Sequence, residues 1–135
     1  MSYNNIILLL GTNLGDRNKN LSDARIHIER EVGEIIASSK IIETEAEDYE
    51  SENLFLNQTL KVKTLKSPEG LLKTIKEIEQ QIGRIYIKGE ERYQDRLIDI
   101  DILLFNKITF DSQTLTIPHP QIQTRNFIKF ILDCY

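Results

Sequence analysis

The chain has 135 residues, of which 40% are hydrophobic and 28% charged, the balance of a folded globular domain rather than of a disordered chain. Its 21 acidic and 17 basic residues leave a net charge of −4, which excludes a surface that coats nucleic acid or acidic lipid; an anionic ligand has to be met by a local cluster of positive charge. The lone cysteine, Cys134, excludes an internal disulfide, and "MSYNNIILLLG" offers neither the basic start of a secretory signal nor the ~20 apolar residues of a membrane span, so a cytoplasmic location is expected.

Ile6 to Leu10 is a wholly apolar run closed by Gly11, which predicts a strand buried on both faces, and "GTNLGDRN" predicts a loop. Leu21, Ala24, Ile28 and Val32 mark one stripe of an amphipathic helix ending near Gly33. Residues 35–43 predict a second strand, followed by an acidic loop, "ETEAEDYESEN". From Leu54 to Val62 the pattern alternates: Leu54, Leu56, Leu60 and Val62 share one side, and Phe55, Asn57, Thr59 and Lys61 the other. Ser67 is an N-cap with Pro68 at the first helical position, and Leu71, Leu72, Ile75, Ile78 and Ile82 give a helix stopped by Gly83.

A charged segment leads to a fourth strand over 97–105, then a small hairpin (108–110 with 115–117) and a C-terminal helix from about Arg125. The order β-α-β-β-α-β-α predicts an α+β fold, a ferredoxin-like βαββαβ sheet with flanking helices. No repeat, low-complexity tract or linker interrupts the chain, so residues 1–135 are expected to form a single domain.

The fourth strand carries the main chemical signal. In "RLIDIDILLF", residues 96–105, strict alternation puts Arg96, Ile98, Ile100, Ile102 and Leu104 on one side. Leu97, Asp99, Asp101, Leu103 and Phe105 take the other. The two carboxylates then point the same way, about 6–7 Å apart at their backbones, where they repel each other unless something positive sits between them. Hard cations suit such a pair, since Mg²⁺ takes a couple of carboxylates together with phosphate oxygens and water. The alternative is a structural pair of partner cations, which gains little in an aliphatic setting.

In "GRIYIKGEERYQDR", residues 83–96, Arg84, Lys88, Arg92 and Arg96 recur every fourth residue. They read either as a solvated helix face or, because Gly83 and Gly89 break a helix, as a basic loop hinged at Gly89 that closes over phosphate. "IPHP", residues 117–120, fixes His119 between two prolines, as a surface histidine or as an anion or nucleotide contact. His27 reads as an ordinary helix residue, and two histidines with one cysteine argue against zinc. Gly11 to Gly15 lacks the Walker lysine and the dinucleotide-binding spacing, and reads as a structural turn that lines a pocket.

"GTNLGDR", "FLN" at 55–57, "IGR" at 82–84, "RLIDIDILLF", "IPHP" and "RNF" at 125–127 occur in the order and spacing of one family. From about residue 6 to 130 the chain resembles 6-hydroxymethyl-7,8-dihydropterin pyrophosphokinases. The resemblance implies transfer of pyrophosphate from ATP to the hydroxymethyl group of a reduced pterin in folate biosynthesis, releasing AMP. It implies Asp99 and Asp101 as ligands of two Mg²⁺ ions on the ATP phosphates. Asn57 matches a residue that hydrogen-bonds the pterin, Phe55 and Phe127 the aromatic pair that sandwiches it, and Thr44 a position whose backbone contacts it. Glu79, Ile102, Thr116, His119 and Arg125 match positions around ATP, and Arg84, Arg92 and Arg96 match arginines around the transferring phosphates.

The chain departs from the family pattern in the loop. Tyr93, Gln94 and Asp95 precede Arg96 where a tryptophan and Gly-Pro are usual, Tyr86 replaces a common basic residue, and Ala46 a common proline. The chain stops at Tyr135, before the Pro-Leu and Glu-Ile segment usual in the family. These differences bear on loop closure, turnover rate and C-terminal stability more than on reaction type. A monomer acting on small molecules, with neither nucleic acid nor membrane as partner, is expected. Two competing readings are a non-catalytic small-molecule-binding module and a degenerate relative that binds nucleotide without turnover.

Overall fold

The computed structural model describes residues 2–45, 53–83 and 97–120, with Phe110 described by its backbone alone. The expected C-terminal helix, the basic loop with its Gly89 hinge, the centre of the acidic loop and Cys134 lie outside the described residues. In chain order the elements are β1 (Asn4–Thr12), α1 (Arg17–Glu31), β2 (Gly33–Ser38), β3 (Ile42–Thr44), β4 (Phe55–Thr64), α2 (Pro68–Ile82), β5 (Asp99–Phe105), β6 (Phe110–Asp111) and β7 (Thr116–Ile117). The fold is α+β, with an antiparallel sheet in the order β2-β4-β1-β5, β3 paired to β4, and a separate β6-β7 ribbon.

The helices form where the apolar stripes and caps require. Asp16 accepts from the Lys19 N–H at 3.1 Å to start α1, and Leu21, Ala24 and Ile28 are buried along it. Ser67 accepts from the Gly70 N–H at 3.1 Å with Pro68 next, and Leu71, Ile75 and Ile78 are buried along α2. Gly83 closes α2 at φ 122°, a left-handed conformation that costs glycine nothing. Both stripes join one core with Ile6, Leu8 and Leu10 of β1, Leu56, Leu60 and Val62 of β4, and Ile98, Ile100 and Ile102. Leu115 and Ile117 extend it at the β5 edge. Both helices therefore cover one face of the sheet.

Besides a register shift between Ile35 and Ala37 of β2, three local features differ from the sequence expectation. The first strand runs through Gly11 to Thr12, so the expected turn begins only after it. The second strand is two pieces, because Ser39 replaces ladder bonds with its side chain. Its hydroxyl oxygen accepts from the Thr59 N–H at 2.9 Å while its N–H donates to the Thr59 carbonyl at 3.0 Å. Register then slips by one residue, from Ser38 opposite Leu60 to Ile42 opposite Asn57.

The third difference lies in β5. Ile7 faces Leu104 but Leu8 faces Ile102, so Leu103 is an extra residue in a β-bulge. Beyond it the alternation changes phase. Leu104 joins Leu103, Leu9 and Ile7 on the face opposite the two helices, and Phe105 turns into the helix-covered core, the reverse of the simple expectation.

Candidate functional site

The face opposite the helices carries the polar side chains. Register aligns Ile42, Asn57, Gly11 and Asp99 in one row across four strands. The next row holds Thr59, Leu9 and Asp101. Asp99 and Asp101 thus share a face with Asn57, as alternation predicts up to the bulge, and Leu9 and Leu103 form an apolar floor beside them. Both aspartates are half-buried.

Asn57 is buried, and its amide nitrogen spends both protons on β3. One goes to the Ile42 carbonyl at 3.1 Å and the other to the Thr44 hydroxyl at 2.8 Å. Gly11 lies beside it. A Cβ on Gly11 would stand 3.5 Å from Phe55 Cδ1 and 3.6 Å from Asn57 Oδ1, so the bare α-carbon leaves a slot bounded by an aromatic edge and a carboxamide oxygen. Thr44, Phe55 and Asn57 are therefore brought together.

On the other side, His119 Nε2 lies 3.8 Å from Asp101 Oδ1. The His119 N–H donates to the Leu103 carbonyl at 3.0 Å, which fastens the proline-flanked segment along the bulge of β5. Glu79 is buried at the end of α2, and its Oε2 accepts from the Ile100 N–H at 2.8 Å on the outer edge of β5. This carboxylate therefore holds the aspartate strand to the helix. Ile102 sends its side chain into the helix-covered core, so only its backbone can reach a ligand on the opposite face. Thr116 is half-buried in β7 and donates to Asp111 Oδ1 at 3.2 Å. Arg84, Arg92, Arg96, Arg125 and Phe127 lie outside the described residues.

Among the described residues no cluster of three or more His, Cys, Asp or Glu could hold a metal ion. Two oxygen-only carboxylates on one strand fit a divalent cation that completes its shell with phosphate and water, the usual state of Mg²⁺. Gly11, expected in a turn that lines a pocket, instead lies within β1, where pairing sets it beside Asn57. Sequence reading missed one contributor. Arg17 Nη1 donates to Glu43 Oε2 and to the Leu54 carbonyl, both at 2.8 Å, and so ties β3 to the start of β4; no sequence signal joins these distant residues.

Residues 7–133 match the family model described as 7,8-dihydro-6-hydroxymethylpterin-pyrophosphokinase. The 2-amino-4-hydroxy-6-hydroxymethyldihydropteridine pyrophosphokinase of Porphyromonas gingivalis is 37% identical over 129 residues, 95% of this chain and 88% of that protein. The same-named proteins of Bacillus subtilis and Aquifex aeolicus are 35% and 37% identical, over 93% and 94% of this chain and 74% and 77% of theirs. The fold is similar to a crystal structure of a Plasmodium falciparum HPPK-DHPS variant with SDX-DHP, with a TM-score of 0.74 at 20% identity. That match covers 98% of this chain and 41% of the solved one.

Proposed function

The chain belongs to the 7,8-dihydro-6-hydroxymethylpterin-pyrophosphokinase family, and on that premise we propose how its residues transfer pyrophosphate from ATP to 6-hydroxymethyl-7,8-dihydropterin in folate biosynthesis. The observation that carries the reading is the Asn57–Gly11–Asp99 row. Two strand spacings, about 10 Å, separate the carboxamide from the carboxylate, which is room for a two-ring heterocycle whose hydroxymethyl arm points toward the phosphates.

Asn57 reads the polar edge of the pterin, Phe55 lies against its ring with Phe127 as the opposite face, and Thr44 flanks it. Asp99 and Asp101 would hold two Mg²⁺ ions, which supply charge neutralisation on the phosphate oxygens. His119, Thr116, Glu79, Arg125 and the Ile102 backbone surround ATP. Arg84, Arg92 and Arg96 clamp the charge that develops during transfer, where planar guanidinium groups make paired hydrogen bonds. The strand order, with both helices on one face, supports a ferredoxin-like arrangement of a single domain over 1–135. A monomer in the cytoplasm fits this reading. Among the described residues no helix is long and apolar enough to cross a membrane.

AMP formation from ATP is the test, run with and without the pterin and with Mg²⁺ or a chelator. AMP should form only when pterin and Mg²⁺ are both present. No AMP from the complete mixture would favour a binding module or a degenerate relative instead. Removing the pterin's polar contact should be selective: Asn57→Ala should weaken pterin binding by about 1–3 kcal/mol while affinity for an ATP analogue stays constant. Equal losses for the two ligands by calorimetry would contradict that assignment.

A further inference from the structure

Resting on the pterin reading, the hydrogen bonds of Asn57 define which way its carboxamide faces and what holds it there. The Ile42 carbonyl can only accept, so the amide atom 3.1 Å from it is the nitrogen. The second amide proton goes to the Thr44 hydroxyl at 2.8 Å. Both donors are therefore consumed within the protein. The oxygen is the atom beside the slot over Gly11, 3.6 Å from where a Cβ would be.

We propose that the Thr44 hydroxyl is a positioning group that locks the Asn57 carboxamide, so that Asn57 meets the substrate only as a hydrogen-bond acceptor and selects a heterocycle presenting an N–H at that point. A rotated amide would set Oδ1 against the Ile42 carbonyl, two acceptors with no proton between them. Thr44 removes the remaining freedom by taking the second proton. It reaches Asn57 because Thr44 lies opposite Phe55 in the β3–β4 ladder while Ile42 lies opposite Asn57. The slip in register at Ser39 brings β3 to that alignment. Because Asn57 is only 2% exposed, a substrate atom facing it gives up water and needs the matching partner. An analogue with a bare ring nitrogen in place of that N–H would set acceptor against acceptor.

Calorimetric pterin affinity, measured with an ATP analogue present, tests this in the intact protein, Thr44→Val and Thr44→Ser. Valine keeps the shape without the hydroxyl and should weaken pterin binding by on the order of fivefold to tenfold, with the ATP-analogue affinity unchanged; serine should restore pterin binding to within about twofold. The side-chain amide protons of Asn57, followed by nitrogen-15 NMR, give a second readout. In the native protein both should be protected from solvent exchange with and without pterin, because both are already bonded within the protein, and in Thr44→Val one should lose that protection. Native-like pterin affinity in Thr44→Val, or Asn57 amide protons that exchange freely in the native protein, would overturn the proposal. A native protein that binds no pterin at all would instead overturn the functional reading beneath it.

Discussion

Asp99→Ala and Asp101→Ala should each lower the rate of AMP formation by at least about a thousandfold, the scale expected when a group that neutralises transition-state charge is lost. The thermal midpoint should stay the same or rise slightly. Neither carboxylate packs into the core, and removing one relieves its repulsion with the other on β5, which offsets the loss of a partner such as His119 beside Asp101. A merely structural pair would show the opposite signature, with lost stability and retained rate. Turnover near the native value at saturating Mg²⁺ in either variant would refute the assignment of the strand.

Gly33→Ala should cost stability instead, by about 3 kcal/mol, with little change in the pterin or ATP affinity of the protein that remains folded. A Cβ at this position would stand 1.9 Å from the Lys63 carbonyl oxygen and 2.9 Å from its carbon. Gly33 opens β2 directly opposite Thr64, and the Thr64 hydroxyl donates at 2.8 Å to the Val32 carbonyl that ends α1. The helix therefore turns into the sheet with no space for a side chain at the corner, and both colliding atoms are backbone. Denaturant unfolding measures the effect. An unchanged midpoint would mean that the corner can open without loss.

Much of this architecture was legible in the sequence because its signals are local. The stripes of α1 and α2, the Ser67–Pro68 start and the two sides of β4 follow from spacing alone, and so does the shared face of Asp99 and Asp101. The bulge at Leu103 was not legible. Its surroundings are uniformly aliphatic, and a one-residue phase change among leucines and isoleucines leaves no compositional mark. The break at Ser39 was hidden for a different reason: a serine hydroxyl standing in for a backbone group is decided by the partner strand. Alternation put Asn57 on one side of its strand with Thr59, but the fixed direction of its amide depends on Ile42 and Thr44, set by a pairing that sequence spacing does not reveal.

The division of the sheet into a side covered by α1 and α2 and a side carrying Asn57 and the two aspartates bears on how such a protein can change over time. Substitutions at Leu8, Leu60 or Ile100 act on the packed core, whereas under the proposed function those at Asn57, Gly11 or Asp101 would act on the reaction. Neighbouring residues on one strand therefore answer to different selective pressures. A lineage can retune its substrate preference on one side without first acquiring compensating mutations on the other. The bulge at Leu103 limits that independence, because there both sides depend on a single inserted residue. Its loss would realign Phe105 and Leu104 together and would be paid for in folding and in chemistry at once.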